Sequence, residues 1–320
     1  MIPLVLCYND VNEAYRDMQS TKLDFCEWED TRNGRALVFQ APVIVTHLMP
    51  YRRVLFDPIR DANPFFHYME AIWMLSGSEN ADFPSLFAKQ IKEYSDDGTT
   101  LNGAYGFRWR YHWDDQLDEI IHLLKKDPNT RRAVLTMWDP QYDLGSSSKD
   151  IPCNTHIYFR VVNRKLEMTV CNRSNDLVWG MLGANVVHMG ILHEWLANAI
   201  DMDVGAYHQF TNNLHIYEGW EDKYSKTASE WYTRNPMFSC WPFSPANLSD
   251  NEAQRFVAQG LDTDEPFTCR IIRDNAEPMY LAWMAHKDGD DPLALHYVER
   301  IHDEDWREGC RLWITRRMEK

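Results

Sequence analysis

What most limits the fold of this chain is the order in which two hydrophobic periods occur along it. Apolar residues recur at helical spacing from Phe65 to Leu75, behind the helix-start pair Asn63-Pro64. They recur again at Leu117, Ile120, Ile121 and Leu124, where Asp127-Pro128-Asn129 signals a stop. A strand is expected over Ala133 to Trp138. Two more, Ile157 to Val162 and Leu166 to Val170, join through Asn163-Arg164 as a plausible hairpin, with Leu166, Met168 and Val170 on one face. Val187, Ile191, Leu192, Trp195, Leu196 and Ala199 then give a long buried helix. Helices and strands are mixed without regular β-α-β alternation, which predicts an α+β fold, a sheet packed by helices.

Beyond Trp220 the pattern weakens into a stretch rich in Pro, Asn and Asp, and residues 291–320 read as one charged amphipathic helix. No repeat and no linker stands out, so a single domain over 1–320 is expected, with 221–320 as a C-terminal elaboration. The tryptophans in that region read as packing residues.

Composition narrows the function classes. A formal net charge of -15 disfavours a polynucleotide partner, which is held by clustered Lys and Arg, although a local Arg cluster can still hold one phosphate. The seven cysteines, Cys7, Cys26, Cys153, Cys171, Cys240, Cys269 and Cys310, are odd in number, scattered and without a C-x-x-C pair. Neither a disulfide framework nor a metal site is expected. The start has no signal-peptide pattern, and no apolar run approaches the ~20 residues of a membrane span. A cytoplasmic protein with reduced thiols is the expectation. P-loop and dinucleotide fingerprints are missing.

Four segments place polar residues inside core-like sequence, where an unpaired polar group is costly. They are Asp127-Pro-Asn-Thr-Arg-Arg132, Pro152-Cys153-Asn154-Thr155, Asn172-Arg-Ser-Asn-Asp176 and Asn213-Leu-His-Ile-Tyr217. Taken singly each has a bland reading. A Cys after Pro is usually a buried structural residue, Arg131 and Arg132 can complement a helix dipole, and Glu70 can be a surface residue. His215 and Tyr217 can be ordinary strand residues. His188 and His193 lack the spacing of helical metal ligands and read as structural.

Together the segments resemble thymidylate synthase and its relatives, the deoxycytidylate and deoxyuridylate hydroxymethylases of bacteriophages. Order and spacing carry the likeness. Cys153 lies 20 residues before Arg173, and Glu70-Ala-Ile-Trp73 and Tyr105-Gly-Phe-Arg-Trp-Arg110 fall in the expected order upstream. The likeness runs from about Arg32 to Tyr217.

The family's chemistry gives each residue type a reason. C5 of a pyrimidine is a poor nucleophile until a thiolate adds at C6, and the resemblance makes Cys153 that thiol, with Arg173 beside it to stabilise the thiolate. It implies that 5,10-methylenetetrahydrofolate donates the one-carbon unit. Glu70 would organise proton transfers and contribute to the folate site, Tyr105 would assist near C5, and Asp176 would contact the folate. Arg32, Arg131, Arg132, Arg173 and Ser174 would grip the 5′-phosphate of a pyrimidine nucleotide, with Arg131 and Arg132 reaching across a homodimer formed through the sheet. Arg35 competes with Arg32 for its place. His215 and Tyr217 would hold the ribose 3′-hydroxyl.

Departures from the synthase pattern point to the hydroxymethylase branch. Residues 89–94 carry no Trp where synthases have one, the chain ends Ile-Thr-Arg-Arg-Met-Glu-Lys, and Asn154 replaces a His after the nucleophile. The base-reading Asn sits one position late, at Asn185, which implies a one-residue insertion after Gly180. Asn185 ranks deoxyuridylate slightly ahead of deoxycytidylate, since an amide offers both donor and acceptor. The alternatives are thymidylate synthase itself and a catalytically silent nucleotide-binding relative whose C-terminal hundred residues serve a partner.

Overall fold

The computed structural model describes residues 2–21, 23–224 and 250–319. Cys240, Trp231, Trp241 and most of the Pro- and Asn-rich stretch lie outside the described residues. In chain order the strands are β1 (Leu4–Tyr8), β2 (Cys26–Thr31), β3 (Gly34–Phe39), β4 (Val43–His47), β5 (Val134–Thr136), β6 (Asn154–Val162), β7 (Lys165–Asn172), β8 (Asn175–Asp176), β9 (Asp203–Thr211) and β10 (Leu214–Tyr217). The helices are α1 (Val11–Thr21), α2 (Pro64–Leu75), α3 (Asp82–Ser85), α4 (Tyr105–Arg110), α5 (Gln116–Lys126), α6 (Pro140–Asp143), α7 (Asn185–Ala199) and α8 (Glu221–Tyr224). Beyond the stretch not described come α9 (Asp250–Gln259), α10 (Glu277–Lys287), α11 (Asp291–Val298) and α12 (Glu304–Met318).

Local chemistry fixes the main elements where the sequence placed them. Asn63 caps α2, its side-chain oxygen accepting from Phe66 N at 3.1 Å, and Pro64 occupies the first turn, where no N–H is needed. Asp115 caps α5 in the same way. The β6–β7 hairpin closes through Asn163 and Arg164, both at positive φ (51° and 61°), the two-residue turn whose twist matches the strands it joins.

Two mixed sheets result. The larger runs β1-β4-β9-β7-β6-β5 and the smaller β2-β3-β10-β8. One face of the larger sheet is core: Leu166, Met168 and Val170 of β7 are buried, as are Val43 and Val45 of β4 and Tyr207 of β9. The opposite face, with Val5, Ile44, Phe210, Cys171 and Tyr158, is covered by none of the described helices and stays half-buried or exposed.

Helix α2 is enclosed on all sides, since ten of its twelve residues are buried. Helix α7 lies between it and the sheet, while the C-terminal helices close its other side. There Phe65 meets Trp283 and Trp313 at 5.6 and 5.7 Å, Tyr68 meets Trp306 edge-on at 4.9 Å, and the Tyr68 hydroxyl donates to Ile271 O at 3.1 Å. The tail is two helices rather than the single amphipathic one expected. It breaks at residues 299–303, where the His302 and Asp303 amides are drawn out to Asp274 O and Asn275 Oδ1. Trp283, Trp306 and Trp313 do pack, as expected.

Candidate active site

Cys153 sits at the head of β6, half-buried, and Arg173 at the end of β7 clamps it from the neighbouring strand. The Arg173 amide donates to Cys153 O at 2.9 Å. Its guanidinium donates to Pro152 O (2.9 Å) and Ile151 O (3.0 Å), which leaves Nη2 at 4.0 Å from Cys153 Sγ. Burial pushes the thiol above its ordinary value, and the Arg173 charge pulls the other way, with Arg32 also lowering it. The separation of 20 residues seen in the sequence is therefore the length of one hairpin that brings nucleophile and cation side by side.

Tyr105, first residue of α4, lies half-buried beside them, its hydroxyl accepting from Asn154 N at 3.4 Å. Its phenol is pushed far above its usual range by burial and by the neighbouring thiol. It can hold or pass a proton but not ionise at neutral pH. Asp150, which the sequence motifs did not single out, accepts from Gly103 N at 2.7 Å. Burial holds its carboxyl above the usual range; Gly103 and Arg108 oppose the rise, and Asp96 and Glu70 add to it. Glu70 thus lies within electrostatic reach of the thiol's surroundings.

The smaller sheet delivers the second group. His215 on β10 is registered with Asp176 on β8, and its ring meets Tyr217 edge-on at 4.9 Å. The Tyr217 hydroxyl accepts from Asn33 at 3.3 Å, in the hairpin loop that carries Arg32. Arg35 is engaged elsewhere: it pairs with Glu218 at 3.6 Å and lies over the Trp28 ring.

Asp176 uses one oxygen, Oδ1, to cap the following helix through Val178 N (2.8 Å) and Trp179 N (2.6 Å). Its Oδ2 is buried without a hydrogen-bond partner among the described residues. Burial raises this carboxyl, while the Trp179 amide, His215, the Val178 amide and Arg60 pull it down. Trp179 beyond it is 45% exposed, its ring held over the Arg60 guanidinium at 4.2 Å and edge-on to Trp220.

Residues 177–184 form a π-helical turn with a kink at Gly183 (φ -120°, ψ -110°) before α7 begins. A π turn is how a helix takes in one extra residue, and it falls where the sequence implied an insertion after Gly180. Asn185 follows directly, its Nδ2 donating to Asn175 Oδ1 at 3.0 Å. That contact needs Gly180, because a Cβ there would stand 2.2 Å from Asn175 Oδ1.

Within one chain the structure gathers Cys153, Arg173, Tyr105, Asp176, His215, Asn185 and the Arg32 hairpin around one site, with Ser174 half-buried beside Arg173 and Glu70 behind it. Arg131 and Arg132 are not part of the cluster. They are exposed before β5, where Arg131 lines a groove with Pro128, Tyr158, Arg160 and Thr169 at the edge of the larger sheet. Two partners escaped the motifs: Asp150, and His188, which α7 brings to 2.8 Å from Glu70.

A family model described as thymidylate synthase matches residues 62–271, more than half of the chain, and the protein belongs to that family. The match starts downstream of Arg32 and continues past Tyr217, further than the motifs reached. The chain is 39% identical over 309 residues to a deoxyuridylate hydroxymethyltransferase of Pseudomonas phage M6, covering 90% of this chain and 87% of that one. It is 37% identical over 218 residues to the enzyme of the same description from Bacillus phage SP01, covering 64% of this chain and 56% of that one. A thymidylate synthase of Francisella philomiragia is 27% identical over 183 residues, 52% of this chain and 65% of that one. At 90% coverage, most of residues 221–320 falls within the M6 alignment.

Proposed function

We propose that the protein is a one-carbon transferase that hydroxymethylates C5 of a pyrimidine deoxynucleoside monophosphate, with deoxyuridylate ahead of deoxycytidylate. The observation that carries this is the Cys153 thiol held under the Arg173 guanidinium, inside a ring of phosphate-, sugar- and base-reading residues. The hydroxymethyltransferase description of the M6 and SP01 relatives supports the water-adding outcome over the synthase one. A silent relative is disfavoured because Cys153, Glu70, Tyr105 and Asp176 are all retained in place.

In this reading Arg173, Arg32 and Ser174 orient the 5′-phosphate, His215 and Tyr217 the 3′-hydroxyl, and Asn185 the base edge. Engagement of Arg35 by Glu218 and Trp28 favours Arg32 over it. Cys153 adds to C6 as the thiolate, and Arg173 stabilises that charge against the cost of burial. Tyr105 holds the C5 proton's path, and Glu70 moves protons at the base. The residues present fit a folate: the free Oδ2 of Asp176 suits a heteroaromatic N–H donor, and the exposed Trp179 face suits a flat ring. Methylenetetrahydrofolate, when bound, supplies the one-carbon unit.

The uncovered sheet face and the Arg131–Arg132 pair at its edge favour a homodimer in which each chain lends those arginines to the other's phosphate site. The packing of 250–319 onto α2 favours one domain over 1–320.

The test is mass spectrometry of the nucleotide after incubation with methylenetetrahydrofolate and either dUMP or dCMP. A hydroxymethyl product is expected, from dUMP in preference. A methyl product with dihydrofolate would make the enzyme a synthase.

A further inference from the structure

Glu70 and His188 form a buried pair that the roles above leave unexplained. They come from adjacent helices, α2 and α7, with side chains 13% and 2% exposed and Nε2 at 2.8 Å from Oε2. The approach is close but lies off the line of a hydrogen bond, and neither ring nitrogen has a hydrogen-bond partner among the described residues. A structural histidine usually has its tautomer fixed by such a bond, as His193 has through Nε2 and Leu166 O at 2.5 Å. His188 is not fixed in this way, and its ring faces the carboxylate with neither nitrogen committed to another group among the described residues.

A second observation points the same way. Asn154, next to the nucleophile, carries an amide, which cannot take a proton near neutrality. His67, one turn before Glu70 on α2, is held neutral: burial lowers it well below its ordinary value, with Arg60 and His188 adding to the effect. The ring that faces the Glu70 carboxylate is the one from α7.

We infer that His188 is a positioning residue for the water-adding step: it aims the Glu70 carboxylate and takes over the proton that Glu70 removes from the attacking water. This rests on the hydroxymethylase reading. In that step the water oxygen bonds to the exocyclic methylene carbon, and the C5–C6 double bond re-forms as the Cys153 sulfur leaves C6 with its electron pair. The water proton passes through Glu70 to His188, and no oxidant or reductant is needed.

His188→Gln keeps an amide donor facing Glu70 but cannot accept the proton. The variant and the wild type are compared for dUMP affinity by calorimetry, and for nucleotide products with and without 2-mercaptoethanol, a thiol that ionises in solution without help. The expected result is dUMP affinity within about threefold, hydroxymethyl turnover lower by about 10²-fold, and a new thioether product where the thiol captures the waiting methylene. Wild-type turnover with only the hydroxymethyl product would overturn the inference. So would loss of both products with dUMP binding intact, which would put His188 before the methylene forms. If His188→Gln does not fold, His188→Asn is put through the same readings. A wild-type protein that makes no hydroxymethyl product sinks the underlying reading, and this inference with it.

Discussion

The two sides of α2 are built from opposite materials. Toward α7 and the sheet, the helix presents Glu70 to His188, whose ring nitrogens have no hydrogen-bond partner among the described residues. Toward the C-terminal helices it presents Phe65 and Tyr68 to three tryptophans, closed further by the Trp283 indole donating to Leu86 O at 3.0 Å. The first side is costly to bury and chemically useful; the second supplies the apolar burial that offsets it. The described C-terminal helices thus form an apolar backing for the helix that carries Glu70.

The contrast can be broken from either side. Cys153→Ser should lower turnover by about 10³-fold or more while leaving dUMP binding and melting temperature nearly unchanged, which steady-state kinetics and calorimetry would separate. Trp306→Ala, on the other side, removes a side chain that is 1% exposed. It should cost about 3–5 kcal/mol of stability in denaturant titration while the folded fraction keeps its KM for dUMP. A rise in KM of tenfold or more would mean that the C-terminal helices shape the site itself.

Acid should weaken the sheet side first. Burial lowers both His47 and His193 to about 4, with His208 adding to each fall and Leu166 O partly restoring His193. A depressed histidine stabilises the fold above its unfolded value of ~6.5 and loses that contribution as pH falls toward 4. Each ring should contribute on the order of 3 kcal/mol to the loss, and His193→Gln should flatten the pH dependence of the melting temperature over that window. The smallest effect belongs to Asp61, which receives Arg316 and Arg317 at 3.0 and 2.9 Å near the surface. Asp61→Asn should cost about 1 kcal/mol and leave turnover alone.

The same division governs what could be read in advance. The elements α2, α5, α7 and the β6–β7 hairpin were legible because period, cap and turn residues agree locally. The Cys153–Arg173 pairing was legible because one hairpin converts a sequence interval into a contact. His188 was not: in sequence it is one polar residue in a helix buried all round, and only the packing of α7 on α2 shows what it faces. The smaller sheet was missed because β8 is two residues long and β2 is almost wholly exposed, so neither carries a hydrophobic period. The break at 299–303 escaped because it is made by tertiary partners, Asp274 and Asn275, rather than by Gly or Pro.

The wide turn at 177–184 works as a shim. Each residue added to an ordinary helix rotates everything beyond it by about 100°, which would swing Asn185 and His188 together off the site. Taking up the extra residue in one loosened turn cancels that rotation before α7 begins, so the aim of both side chains is set by coil geometry before any ligand arrives. A one-residue deletion inside the turn should restore an ordinary helix with the same aim, whereas the same deletion between Asn185 and His188 should pull the two out of step.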